Sequence, residues 1–227
     1  MPIHLLKLIS RRNVAQSTIV CEFEKPPGFS FIPGQYGGFT HINPAETDAG
    51  GMTRRFSLMS APDDNHIAIV TRIQQSAFKK TLNNLPIGSQ IKFAGPSGNF
   101  TLHDDTRIPA VMIAGGIGIA PFYSMIRHAC KHQPERELIL FYGNQSKETT
   151  AFLDELTALS NQHPHFKLVA VMGDFITHTL IKKHVPDLQK PVFYVCGAPV
   201  MVSALQETLL EMDIPSDKIK VEDFPGY

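Results

Sequence analysis

The alternation of hydrophobic and polar positions changes rhythm once along this chain. From the N-terminus to about Phe100 the period is two, as in TIVCEFE, where Ile19, Cys21 and Phe23 interleave with Val20, Glu22 and Glu24. Side chains on a strand point alternately to its two faces, so this pattern predicts strands with one buried side. The opening MPIHLLKLISRRNV reads as the first strand. QYGGFTHI, RRFSLMS, HIAIVTRI, SQIKFAG and NFTL continue the series, parted by the turn-rich KPPG, NPAETDAGG and APDDN. Six or so short antiparallel strands predict a small closed barrel, and only FKKTLNNL among them reads as a helix.

After HDDTR, buried apolar strands alternate with longer helical patterns, which is the order of a parallel α/β sheet. The strands are PAVMIAGG, ELILFYGN, FKLVAVMGD, PVFYVCGA and KIKVEDF. Of the four helical stretches between them, ETTAFLDELTALS has the clearest stripe, with Phe152, Leu153, Leu156 and Leu159 on one face. The expected fold is therefore a six-stranded antiparallel β barrel, residues 1–104, followed by a five-stranded parallel α/β nucleotide-binding domain, residues 105–227. Four of the five rear strands end in glycine: Gly115 with Gly116, Gly143, Gly173 and Gly197. In a parallel sheet those ends share one edge, where ligands bind at the point of strand reversal. A single glycine there can be a mere turn, but four in register favour a nucleotide cleft.

Composition narrows the function. The chain is 43% hydrophobic, with 21 Lys+Arg balanced by 21 Asp+Glu, so it lacks the basic excess of a nucleic-acid-binding protein. Cys21, Cys130 and Cys196 form no C-x-x-C pair, which argues against zinc ribbons and four-cysteine clusters and fits a reducing, cytoplasmic setting. The first apolar run is too short for a secretory signal. IPAVMIAGGIGIAPFYSMI is free of charge, but three glycines and two prolines break it into a strand, a tight turn and a helix, and no membrane span is expected.

Two stretches carry candidate chemistry. In AGGIGIAPFYSMI, Gly115, Gly116 and Gly118 leave room for a diphosphate to approach the backbone, and Pro121 suits the first turn of a helix whose free N–H groups attract anions. The spacing is not the usual G-x-G-x-x-G. In RRFSLMSAP, a strand puts Arg54 and Phe56 on one face and Arg55 and Ser57 on the other. By itself the arginine pair fits either a solvated strand end or a clamp for an anionic ring compound. His128 and His132 have a metal-binding spacing on a predicted helix, yet no acidic residue accompanies them at that spacing, so a solvated face is expected and no metal.

FIPGQY, RRFSLMS, GPSGNF, GGIGIAP, YVCGAP and VEDFPGY occur in that order over nearly the whole chain, and together they resemble the ferredoxin-NADP reductase superfamily of flavoproteins. The resemblance implies FAD, with FMN as the alternative, and NADH or NADPH. It implies Arg54 on the flavin phosphate, Phe56 against the ring system and Ser57 near the reactive N5, with phenylalanine standing where tyrosine is usual. Lys79 takes the place of the family's phosphate-binding serine, although Lys79 and Lys80 fit a solvated helix face equally well. On the nucleotide side it implies Gly115, Gly116, Gly118 and Pro121 at the diphosphate, and Cys196, Gly197 and Met201 near the nicotinamide, although Cys196 also fits a buried strand end. Glu222 and Phe224 resemble an acidic and aromatic C-terminal pair, with Tyr227 as a second ring. Leu58, Thr71 and Asn144 complete the cofactor contacts, and Ser57, Cys196 and Glu222 are the candidate catalytic residues. Gln145, where relatives carry arginine, leaves Lys147 as the cation there and favours NADH.

The activity implied is hydride transfer from nicotinamide to flavin, then electron transfer to a protein such as ferredoxin or flavodoxin. Residues 1–104 hold ten basic and seven acidic side chains, net +3, which suits an acidic carrier. The alternatives are a free flavin reductase and an electron-transfer subunit of a larger redox complex.

Overall fold

A computed structural model gives the structure of residues 2–74 and 76–224. The front half has β1 (Ile3–Ala15), β2 (Thr18–Glu24), β3 (Tyr36–His41), β4 (Thr53–Ser57), β5 (His66–Arg72) and β6 (Gln90–Ser97), with α1 (Ala77–Asn84) before β6. The six strands form one antiparallel barrel in the order β4-β3-β6-β1-β2-β5. Its core is built by alternate residues, with Ile19, Cys21 and Phe23 of β2 meeting Phe39, Ile67, Ile69 and Phe93. Val20, Ala68 and Val70 point the other way and are buried as well, because the rear half packs on that wall.

The rear half has β7 (Ala110–Gly115), α2 (Ile119–His132), β8 (Leu138–Asn144), α3 (Leu153–Gln162), β9 (Phe166–Met172), α4 (His178–His184), β10 (Val192–Gly197), α5 (Pro199–Glu211) and β11 (Ile219–Asp223). Its sheet is parallel throughout, in the order β11-β10-β7-β8-β9. The chain runs outward from β7 through β8 and β9, then returns to the other side for β10. The strand order therefore reverses between β7 and β10. Helices α2 and α3 cover one face, and α4 and α5 cover the other.

NFTL does not form a strand. Phe100 leaves the barrel and packs 5.7 Å from Phe122 and 5.8 Å from Tyr194, ring to ring, so the segment from 98 to 109 becomes a strap between the sheets. The strap is fastened further on. The Tyr194 hydroxyl accepts the His103 amide at 2.9 Å, and the buried Arg136 donates to the His103 carbonyl at 2.6 Å. From the other side, Arg127 of α2 grips Asp64 through two bonds of 2.6 and 3.0 Å, and the Ser124 hydroxyl donates to the Ser60 carbonyl at 2.6 Å. Sheet and barrel are thus held at two separate places.

Candidate functional site

Two cavities open side by side and share one lining residue, Arg72 at the end of β5. The front cavity, about 1220 Å³, lies between β4, β5, the start of α1 and the end of β11. The rear cavity, about 1080 Å³, lies over the loops that leave β7, β8, β9 and β10, at the reversal of strand order.

Ser57 and Glu222 line the front cavity, and Cys196 is buried next to Glu222 without lining it. Cys196 and Glu222 are register partners of parallel β10 and β11, and Ser57, the last residue of β4, faces the same carboxyl. Burial pushes the Glu222 carboxyl up to about 7; the Ser57 hydroxyl opposes that shift and the Asp223 charge adds to it. Ser57 Oγ and Glu222 Oε2 are both buried without a hydrogen bond of normal geometry. Such atoms are rare in folded proteins, and a pair aimed at one cavity is suited to a polar ligand edge. The Cys196 thiol is wholly buried, and burial together with the charges of Glu222 and Asp223 pushes it well above the ordinary range. It is a neutral thiol, unsuited to nucleophilic attack.

Arg54, Arg55, Arg72 and Lys79 all line the front cavity. Burial lowers the Lys79 ammonium, and Arg54 and Arg72 lower it further, so these cations are close enough to repel one another. Such a wall attracts anions. Arg54 and Phe56 share a face as the strand pattern requires, with the Arg54 guanidinium 5.6 Å from the Phe78 ring and Phe56 packed 5.8 Å from both Phe39 and Phe78. Arg55 takes the opposite face, 5.7 Å from the ring of Tyr36. Arg54 also ties down its own loop: Nη2 donates to Asp48 Oδ1 at 2.6 Å, and Nη1 to the carbonyls of Gly50 and Gly51 at 2.6 and 2.9 Å. The second Asp48 oxygen accepts the Ala77 amide at 2.8 Å and the Ser76 hydroxyl at 3.3 Å, which caps α1. Thr71 and Phe224 line the same cavity, Phe224 being fixed by its amide on the Gly197 carbonyl at 3.0 Å.

In the rear cavity, Gly115, Gly116, Asn144 and Met201 form adjacent parts of the wall. Gly116 has φ +53°, a conformation other residues adopt at a cost, and it lies beside Arg72. Both polar atoms of the Asn144 amide are buried without a hydrogen bond of normal geometry. Pro121 sits in the first turn of α2, buried beneath the cavity floor.

Several expectations change. The Leu58 side chain is fully buried in the barrel core, because β4 ends there and its amide turns back to the Gln35 carbonyl at 2.9 Å; it lines neither cavity. Gly118 is required by packing rather than by a ligand, since a Cβ on it would stand 2.1 Å from the Cys196 carbonyl oxygen. Lys147 lies beside a separate small hollow next to Val14, and the lysine that lines the rear cavity is Lys182 of α4. Lys80 is exposed, outside both cavities. His128 and His132 do gain an acidic neighbour, Asp63 from the 61–65 turn, with one ligand atom from each of the three within 4.8 Å of the others. Asp63 is already paired with Lys131, and the group serves as a further tie between turn and helix. Tyr227 lies outside the described residues.

Residues 112–207 match the family model of the oxidoreductase NAD-binding domain. The reductase component of propane 2-monooxygenase from Rhodococcus jostii is 27% identical over 217 residues, covering 88% of this chain and 57% of that protein. A solved cytochrome P450 reductase from Amycolatopsis superposes with a TM-score of 0.84 at 24% identity, over 98% of this chain and 70% of that one. A ferredoxin-NADP+ reductase from Neisseria gonorrhoeae, solved with bound FAD and NADP, gives 0.84 at 21% identity over 97% and 98%. Residues 112–207 thus match an oxidoreductase NAD-binding domain, and the whole chain shares the fold of these reductases.

It spans about three fifths of the length of the first curated relatives it matches. Among the described residues no helix is long and apolar enough to cross a membrane. Tyr36, Asp48, Arg55, Arg72 and Lys182 are cavity-lining residues that sequence reasoning missed. Tyr36 had a signal, since it closes the FIPGQY motif.

Proposed function

We propose that this chain is an NAD(P)H:flavin oxidoreductase that takes FAD, or FMN, in the front cavity and a nicotinamide nucleotide in the rear one. The observation that carries this reading is that Ser57 and Glu222 face each other in the wall of the front cavity, while Arg72 lines both cavities. The residues fit both groups. Four cations line the front cavity, two buried polar atoms there make no hydrogen bond of normal geometry, and the rear cavity has glycine-edged strand ends beside an Asn144 amide in the same condition.

When bound, the nicotinamide supplies a hydride and the flavin supplies the two-electron ring that accepts it. The protein's part is placement. Arg54 and Lys79 would hold the flavin phosphate, with Phe56, Tyr36 and Phe224 as its aromatic walls. Ser57 would hold a polar edge of the ring, and Glu222, which titrates close to neutrality, would hold or release a proton at the same point. Cys196, wholly buried next to Glu222, would back the site as an uncharged packing residue, and Gly115, Gly116 and Met201 would seat the nucleotide. Asp174 and Glu211 also line the rear cavity and disfavour an extra phosphate, so NADH is the preferred donor over NADPH.

The onward acceptor is proposed to be an acidic redox protein, on the net +3 of residues 1–104. Anaerobic mixing of the flavin-loaded chain with NADH should bleach the flavin band within milliseconds to seconds. A loaded chain that stays yellow, with ferricyanide unreduced, would leave a flavin-binding subunit without reductase activity.

A further inference from the structure

Asp48 is a carboxylate in a wall of cations. It lies in the loop between β3 and β4, and each of its oxygens takes one set of donors. Oδ1 takes the Arg54 guanidinium at 2.6 Å and the Gly50 amide at 2.9 Å, while Oδ2 takes the Ala77 amide at 2.8 Å and the Ser76 hydroxyl at 3.3 Å. A guanidinium on one side and the amide end of a helix on the other are the two commonest partners of a phosphoryl group. The loop is built for this close approach, since a Cβ on Gly50 would stand 2.4 Å from Arg54 Nη2. The carboxylate also lines the cavity itself, alongside Lys79 and Arg72.

We propose that Asp48 is a resident anion that holds the phosphate seat of the front cavity and thereby sets which flavins the chain retains, an inference that rests on the flavin reading above. A flavin with a phosphate must displace Asp48 to reach Arg54 and the start of α1. Its gain is the difference between an arginine–phosphate and an arginine–carboxylate contact rather than the whole of the former. Riboflavin has no phosphate and leaves Asp48 in place. The chain therefore discriminates weakly among riboflavin, FMN and FAD, and it releases phosphorylated flavins readily.

The test is titration of riboflavin, FMN and FAD into the full chain and into Asp48→Asn and Asp48→Ala, followed by flavin fluorescence quenching. Asparagine keeps an oxygen for the Ala77 amide while removing the charge, so α1 stays capped, and circular dichroism checks the fold. The expected result is FMN and FAD affinity about tenfold tighter in Asp48→Asn with riboflavin affinity unchanged. Inorganic pyrophosphate should compete with FMN about tenfold better in the same variant. Unchanged or weaker FMN binding in Asp48→Asn, with riboflavin still bound, overturns the proposal and makes Asp48 a cap for α1. If none of the three flavins binds the folded parent chain or either variant, the flavin reading itself falls, and this proposal with it.

Discussion

The front and rear cavities have similar volumes, about 1220 and 1080 Å³, and are made of different materials. The front wall is side chains, with four cations and several aromatic rings carried on strands and on α1. The rear wall adds to its side chains the ends of parallel strands, with glycines such as Gly115 where a side chain would intrude on Met201. A side-chain site is weakened by deleting a charge. A glycine edge is damaged instead by filling space.

That contrast can be broken or sharpened by substitution. The largest effect is expected from Gly118→Ala, whose new methyl would meet the Cys196 carbonyl at 2.1 Å and force the start of α2 off β10. It should cost about 1 to 3 kcal/mol of stability, read as a lower melting temperature, and weaken nicotinamide nucleotide binding more than flavin binding. Next, in the Asp48→Asn background, Arg54→Ala should reduce FMN and FAD affinity by roughly ten- to a hundredfold, the value of a charged hydrogen bond to phosphate once the competing carboxylate is gone, with nucleotide affinity unchanged. Equal losses in both cavities would end the distinction between them.

Glu222→Gln tests the junction. A carboxyl whose pKa is raised to about 7 binds a proton in the fold that the unfolded chain has already lost, so its contribution to stability is present in acid and is lost as pH rises through about 7. The glutamine variant should flatten both that stability slope and the pH dependence of flavin reduction near neutrality. A slope that survives the change would assign it to another group. A smaller effect is expected at Phe175, which is 84% exposed at the lip of the rear cavity. Phe175→Ala should raise the Kd for NADH several-fold, the loss of one aromatic stack worth about 0.5 to 1.5 kcal/mol. The smallest is Lys182→Ala, a surface cation worth less than about 1 kcal/mol, which should raise the KM for NADPH more than that for NADH.

Much of this arrangement is legible in the chain, and the parts that are not share a cause. The strands and helices follow from period, and the ligand edge of the sheet follows from glycines at strand ends, because both are local properties. Phe100 and Leu102 alternate like strand residues, yet Phe100 is drawn to Phe122 and Tyr194, a contact no local pattern contains. Phe152 reads as part of a helical stripe. It becomes the left-handed residue before α3, at φ 61°, because its ring packs 4.7 Å from Tyr123. Asp48 and Arg72 read as a loop acid and a polar strand end; they matter only because barrel closure brings the loop, β5 and α1 to one point. Lys147 and Lys182 show the converse, since proximity in sequence to β8 picked the wrong lysine.

The strap from 98 to 109 bears on how ligands are exchanged. Tyr194, its anchor, lies two residues before Cys196 on the same strand, so the fastening and the proposed reaction point share a rigid element. A jaw that cannot gape must be loaded from its open side. On the proposed function, nicotinamide would slide in edgewise along the carboxyl rim and retreat by the same route.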